Sequence, residues 1–172
     1  MRTLKGRKNV KKRNHINFFL KEYEGRFEYR LLDENDFDAC LQLVEEWTSN
    51  KEENNAVDEE MKDELIGIKK LFANFDIIKD RLKIAGIFID GKLEAFTMGE
   101  YINPNMALIH IEKANPMIRG LYPYINQKFL VNEFSDVEFV NREEDLGIEG
   151  LRKAKLSYHP VKFIEKYTVR EV

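Results

Sequence analysis

A single cysteine, Cys40, stands among 172 residues. It excludes an internal disulfide and leaves no thiolate pair for a metal site. It falls on the apolar face of a helical repeat and reads as core. Prolines number four and glycines nine, too few and too scattered for a flexible linker, so one domain is expected rather than two joined by a tether. No run of 18 apolar residues occurs, which excludes an apolar transmembrane helix, and no apolar segment follows the basic start, which excludes a secretory signal. A cytoplasmic location is the resulting expectation. Acids are missing altogether from residues 1–13, which hold Arg2, Lys5, Arg7, Lys8, Lys11, Lys12 and Arg13. The remainder carries 21 bases against 31 acids. A basic arm on an acidic body suits a polyanion partner, with Lys8, Lys11, Lys12 and Arg13 as its anion-binding residues. The plainer alternative is a solvated, partly disordered terminus.

What is present is a globular balance, 43% hydrophobic and 34% charged. Lys8 to Tyr23 reads as a basic N-terminal helix, whose first-turn cations oppose its dipole and whose packing would come from Phe18, Phe19 and Leu20. Phe27 to Leu32 alternates as a strand, and Asp33 to Asp36 offers caps for a helix over Phe37 to Trp47. Thr48 to Asn55 is polar and reads as a loop. Met61, Leu65, Ile68, Phe72 and Phe75 mark the clearest amphipathic helix. Asp90-Gly91 between the apolar runs Leu82 to Ile89 and Leu93 to Tyr101 is a hairpin turn. Met106 to Glu112 follows as a third strand of a meander. Asn115 and Pro116 are placed to open a helix that turns Met117, Leu121, Ile125 and Phe129 inward. Val137 to Val140, Ile148 to Ser157 and Val161 to Val169 then read as strand, helix and strand. This order predicts an α/β fold, a mixed central sheet with helices on both faces.

Asn141 to Pro160 (NREEDLGIEGLRKAKLSYHP) is the densest stretch in chemistry. Three acids, Glu143, Glu144 and Asp145, precede Gly147 and a run of bases, Arg152, Lys153 and Lys155. A helix dipole alone would select acids first and bases last, and the two sets could pair internally. Leu151, Ala154 and Tyr158 give the helix an apolar face.

This stretch resembles the signature of the phosphatidylglycerol lysyltransferase C-terminal-domain family. That family is GNAT-like (resembling acyl-CoA N-acyltransferases) and related to the Fem-type aminoacyltransferases. KKRNHINFF (Lys11 to Phe19), HIEKANP (His110 to Pro116) and GLYPYINQKF (Gly120 to Phe129) resemble the same family, so the likeness covers nearly the whole chain. It implies a GNAT-like sheet whose cleft opens where the fourth and fifth strands splay, here Met106 to Glu112 and Val137 to Val140. It further implies an additional GNAT-like half ahead of this region, so residues 1–172 are expected to be one domain, the C-terminal half of a two-domain protein.

Alternation along Met106 to Glu112 puts His110 and Glu112 on one face and Ile109 and Ile111 on the other, making His110 a candidate general base oriented by Glu112. The other reading is a histidine satisfied within the core. Lys113 and Asn115 lie at the mouth of the next helix, where backbone N–H groups favour an anion. Acetyl-CoA-using GNAT enzymes carry a Q/R-x-x-G-x-G/A phosphate loop there. This chain has NPMIRGLY, of which Arg119-Gly120 is a remnant, with Tyr122 where a small residue belongs. The resemblance therefore implies an aminoacyl-tRNA donor in preference to acyl-CoA, with tRNA as a partner of the basic arm. Asn141, Arg142, Glu143 and Asp145 become candidates for binding a cationic aminoacyl group or fixing the acceptor, Glu143 and Asp145 as catalytic carboxylates among them, and Tyr158 becomes a candidate general acid. The expected function is (amino)acyl transfer to an amine or hydroxyl acceptor, an anionic lipid among them. The alternatives are a non-catalytic binding domain for tRNA or anionic lipid, and an acyl-CoA-dependent N-acyltransferase.

Overall fold

The computed structural model describes residues 1–52, 59–165 and 167–171. They form two compact units, Met1–Arg142 and Glu143–Val172. The first is built on a five-stranded sheet: β1 (Phe27–Leu31), β2 (Leu82–Ile89), β3 (Lys92–Asn103), β4 (Met106–Ala114) and β5 (Phe139–Asn141), side by side in chain order. The first four strands run antiparallel, and β5 joins β4 in parallel. The β2–β3 turn is Asp90-Gly91, with φ of 50° and 85°. Two left-handed residues match the right-handed twist of the flanking strands.

One face of the sheet is covered by α2 (Phe37–Glu52) and α3 (Glu59–Ala73), followed by the single turn α4 (Phe75–Ile78). Cys40, Leu43, Val44, Ile68 and Phe72 meet Ile84, Phe96 and Met98 there. Burial pushes the Cys40 thiol up to about 12, so it behaves as a small apolar side chain. The other face carries α1 (Val10–Glu22) and α5 (Leu121–Glu133). Ala85, Ala107 and Ile109 pack on Phe129, Leu130 and Phe134. Phe19 joins the two helices through Tyr124, the ring centres 4.9 Å apart. A mixed sheet with helices on both faces is thus the observed architecture.

Four expectations change. The helix from Phe37 runs on through Thr48 and Ser49, whose hydroxyls donate back to the Val44 and Glu45 carbonyls, so these polar residues extend it instead of opening a loop. The remainder of that expected loop, residues 53–55, lies outside the described residues, as does the side chain of Met61. The helix after Asn115 starts late. The Asn115 side chain accepts from the Met117 N–H, holding residues 115–118 in a turn, so α5 begins at Leu121 and Met117 is 86% exposed. In α1 only Phe19 of the trio Phe18, Phe19 and Leu20 is buried.

The fourth change lies in the second unit. It contains α6 (Glu149–Leu156), and the expected last strand is not formed among its described residues. Val161, Phe163, Tyr167 and Val169 alternate as a strand would, yet they stand exposed with no neighbouring strand taking their backbone hydrogen bonds. Alternation is a strand only where a partner strand completes the ladder.

Candidate functional site

β4 and β5 pair over three residues only, ending at Leu108 opposite Asn141. Beyond that pair the strands part, and side chains bridge the opening. Arg142 Nη2 donates to Glu112 Oε1 at 3.0 Å, and Asn126 Nδ2 from α5 donates to Glu112 Oε2 at 2.6 Å. The Glu112 and Arg142 side chains are 10% and 16% exposed. A carboxylate is thereby fixed at the open edge of β4 by a cation from the chain just after β5. Both Glu112 and Arg142 were legible as candidates; Asn126 was not.

His110 is not oriented by Glu112. Met98 pairs with Ile111 and Gly99 with Ile109, leaving His110 as the extra residue of a β-bulge. The bulge cancels the expected alternation: Ile109 enters the α5-side core, while Ile111 packs toward α2 and α3. Glu112 then faces α5, whereas His110 Nε2 lies 3.1 Å from Glu100 Oε1 on the other side. Arg81 Nη2 is 3.5 Å from the second oxygen of Glu100. A histidine held by a carboxylate exists here, but the carboxylate is on β3.

Lys113 does not reach out to an anion. Its side chain is 8% exposed, with Nζ 2.6 Å from Glu64 Oε2 and 3.9 Å from the centre of the Trp47 ring. Asn115 is stitched to the start of β3, its Nδ2 donating to Glu94 Oε2 at 2.8 Å. Gly120 has a packing role. With φ 90° it forms the left-handed entry to α5, and a Cβ there would sit 2.1 Å from the His15 carbonyl oxygen of α1. Tyr122 follows, its hydroxyl engaged by Ala114 and Trp47 and its phenol pushed up to about 12, chiefly by burial. The start of α5 is therefore covered by α1 and filled by a tyrosine, unlike a glycine-lined phosphate loop.

The basic arm is folded onto the body rather than disordered. Leu4 is buried. Arg13 Nη1 donates to the Leu4 and Gly6 carbonyls, and Arg2 Nη1 to that of Phe134 at 2.8 Å. Arg13 is thus spent on wrapping the terminus. Lys8 lies exposed in a 3-10 turn, Arg7–Asn9. Lys11 and Lys12 converge with other cations. Burial, then Arg142 and Lys11, hold Lys12 below the usual lysine range. Burial, then Arg119, Lys11 and Lys12, lower His15. The Arg119 guanidinium lies 4.6 Å over the Phe18 ring. Cations of α1, of the approach to α5 and of the exit from β5 thus lie near enough to act on one another.

In the second unit Asp145 takes a bidentate pair from Arg152, at 2.7 and 3.1 Å, and accepts the Gly147 N–H at 3.0 Å. The Arg152 hydrogen bond, ahead of the Gly147 one, holds its carboxyl below the usual range. Lys155 donates to the Glu144 carbonyl. Asp145 therefore serves as the latch at the entry to α6, the internal pairing that the sequence left open. Glu143 and Leu146 adopt left-handed φ of 55° and 51° in this loop. Tyr158 lies in the turn closing α6, its N–H donating to the Lys155 carbonyl.

The family model described as phosphatidylglycerol lysyltransferase, C-terminal, matches residues 1–170. The chain belongs to this family. A curated relative, an uncharacterized protein of Mycoplasmoides gallisepticum, is 29% identical over 99% of the chain and 53% of its own length. A solved structure of a conserved protein of unknown function from Bacteroides thetaiotaomicron is 38% identical, with a TM-score of 0.81 over 94% of the chain and 53% of that protein. The C-terminal domain of a protein assigned as a lysylphosphatidylglycerol synthetase, from Agrobacterium fabrum, gives a TM-score of 0.58 at 15% identity, covering 91% and 53% of the two chains. A possible acetyltransferase of Clostridium difficile 630 gives 0.58 at 16%, covering 86% and 98%. The fold of this lysyltransferase-family domain is GNAT-like. The chain spans about half the length of the Mycoplasmoides gallisepticum and Bacteroides thetaiotaomicron proteins. No helix among the described residues is long and apolar enough to cross a membrane.

Glu64, Glu100, His15 and Asn126 escaped the sequence reading. A signal existed for Asn126, a polar residue beside Ile125 on the inward side of α5.

Proposed function

We propose that this lysyltransferase-family domain transfers an acyl or aminoacyl group to an amine or hydroxyl acceptor, with the opening between β4 and β5 as its cleft. The observation that carries this reading is the Glu112 carboxylate, fixed at that opening by Arg142 and Asn126. In the proposed step the acceptor O–H or N–H attacks the carbonyl carbon of the donor ester or thioester, and its proton passes to a carboxylate or to His110. The bond to the donor oxygen or sulfur then breaks, and that atom leaves with a proton. Backbone N–H groups along β4 are suited to hold the oxyanion. Lys11, Lys12, Arg119 and Arg142 supply the positive field for a phosphate-bearing donor or lipid acceptor. Glu143 and Asp145 remain proposed contacts for a cationic aminoacyl group, Asp145 in exchange for its pair with Arg152. The longer relatives support a further reading, that a second half completes the cleft.

Titration with total tRNA and with acetyl-CoA at two salt concentrations tests the donor. Salt-sensitive tRNA binding without CoA binding supports an aminoacyl-tRNA donor. Saturable CoA binding moves the reading to an acyl-CoA-dependent transferase. Binding of neither points to a half-site that needs a further half, while the tyrosine-filled start of α5 supports the alternative of a non-catalytic binding domain for tRNA or anionic lipid.

A further inference from the structure

Asn126 interrupts the apolar inward side of α5 and is 2% exposed. Its Nδ2 is used on Glu112, whereas its Oδ1 is buried without a hydrogen-bond partner. An amide oxygen taken out of water with no donor to replace it destabilises the fold. Rotating the amide gives no relief, because Oδ1 would then face the Glu112 carboxylate, acceptor against acceptor. The bond to Glu112 accounts for the nitrogen end of the amide, so the buried oxygen end calls for a second occupant.

We propose that Asn126 contacts the substrate: its Oδ1, together with the remaining lone pairs of Glu112, receives a neutral O–H or N–H donor. This rests on the reading of the β4–β5 opening as the transfer cleft. Glu112 lies past the last β4–β5 pair, so a ligand group reaching it enters between the parted strands. The donor is neutral because the Glu112 charge is already offset by Arg142, and Lys12 adds positive field around that guanidinium. An ammonium would find no net negative charge there. Two sources share this chemistry, a hydroxyl of a polyol phosphodiester and an amide N–H of the acyl-carrying arm of CoA.

The test uses the isotopically labelled chain titrated with glycerophosphoglycerol and, separately, with CoA. One of the two probes should shift the Asn126 side-chain amide resonances. Asn126→Leu should weaken that probe on the order of tenfold; it removes the orphaned oxygen and also the Nδ2 donor to Glu112, so its melting temperature is measured alongside binding. A shift with the first probe identifies the hydroxyl source, and a shift with the second the amide source. If a probe binds without moving the Asn126 amide, or binds Asn126→Leu equally well, the inference fails and the cleft reading stands. If neither probe binds the wild-type chain, both fail. Should Asn126→Leu not fold, the resonance shifts of the wild-type protein still decide the matter. A crystal structure in which a water stays on Oδ1 with probe bound also overturns the inference.

Discussion

Removing the Arg142 guanidinium strands the Glu112 carboxylate at the edge of the sheet with one fewer donor. Both side chains are largely out of water, and breaking such a pair from one side costs about 3 kcal/mol. Arg142→Met should therefore lower the unfolding free energy in urea by about that amount. A loss under about 0.5 kcal/mol would show the pair to be solvated instead. The same logic governs Lys113, whose ammonium is held by Glu64 and the Trp47 ring. Glu64→Ala should cost about 2 kcal/mol, since the ring alone only partly replaces a carboxylate. An unchanged midpoint would contradict the dependence of the buried Lys113 ammonium on Glu64. At this scale the sequence was legible for residue types and misleading for direction. Alternation pointed His110 and Glu112 the same way, but a bulge has no fixed sequence mark, and one extra residue reverses every facing beyond it. Glu100 and Glu64 were invisible as partners because the sequence separations involved carry no periodic signal.

Among the elements, the entry to α2 depends on Asp36. Its carboxylate takes both Arg30 Nη groups, at 2.7 and 2.6 Å, and accepts the Asp33 N–H. The Arg30 hydrogen bonds, against the opposing effect of burial, hold its carboxyl below the usual range. A depressed folded-state pKa stabilises above the unfolded value and is lost as pH falls through the folded one. Asp36→Asn should thus flatten the decline in stability below about pH 4. A decline as steep as in the wild type would contradict this. Gly120→Ala meets two penalties: a left-handed backbone, costing about 1–2 kcal/mol, and a Cβ driven into the His15 carbonyl. The variant should lose protection from hydrogen exchange in α1 and the first turn of α5. Wild-type protection there would mean that the two helices are not packed through this glycine. The meander and its Asp-Gly turn were readable because local chemistry decides them. The late start of α5 was not, because Asn115 offers a cap and a turn alike. The final strand was not either, because its alternation says nothing of a partner.

For the whole molecule, the charge imbalance between residues 1–13 and the rest was plain from composition, as was the mixed sheet. What composition concealed is the division of labour within the arm. Arg2 and Arg13 hold the terminus to the body, while Lys11 and Lys12 lie near Arg119 and Arg142. Lys11→Glu with Lys12→Glu should weaken tRNA or anionic-vesicle binding and lower the salt slope by about one for each phosphate no longer neutralised. Binding equal to wild type at both salt concentrations would exclude the arm as a polyanion site.

The most direct measurement is single-turnover transfer from lysyl-tRNA and from acetyl-CoA to vesicles containing phosphatidylglycerol and to free amines, comparing the wild-type chain with Glu112→Gln. Glutamine keeps the shape of the side chain and cannot take a proton. The wild type should transfer from one of the two donors, and the variant should be slower by about 100-fold or more with its fold intact. Transfer by Glu112→Gln at the wild-type rate would rule out Glu112 as the group that carries the reaction.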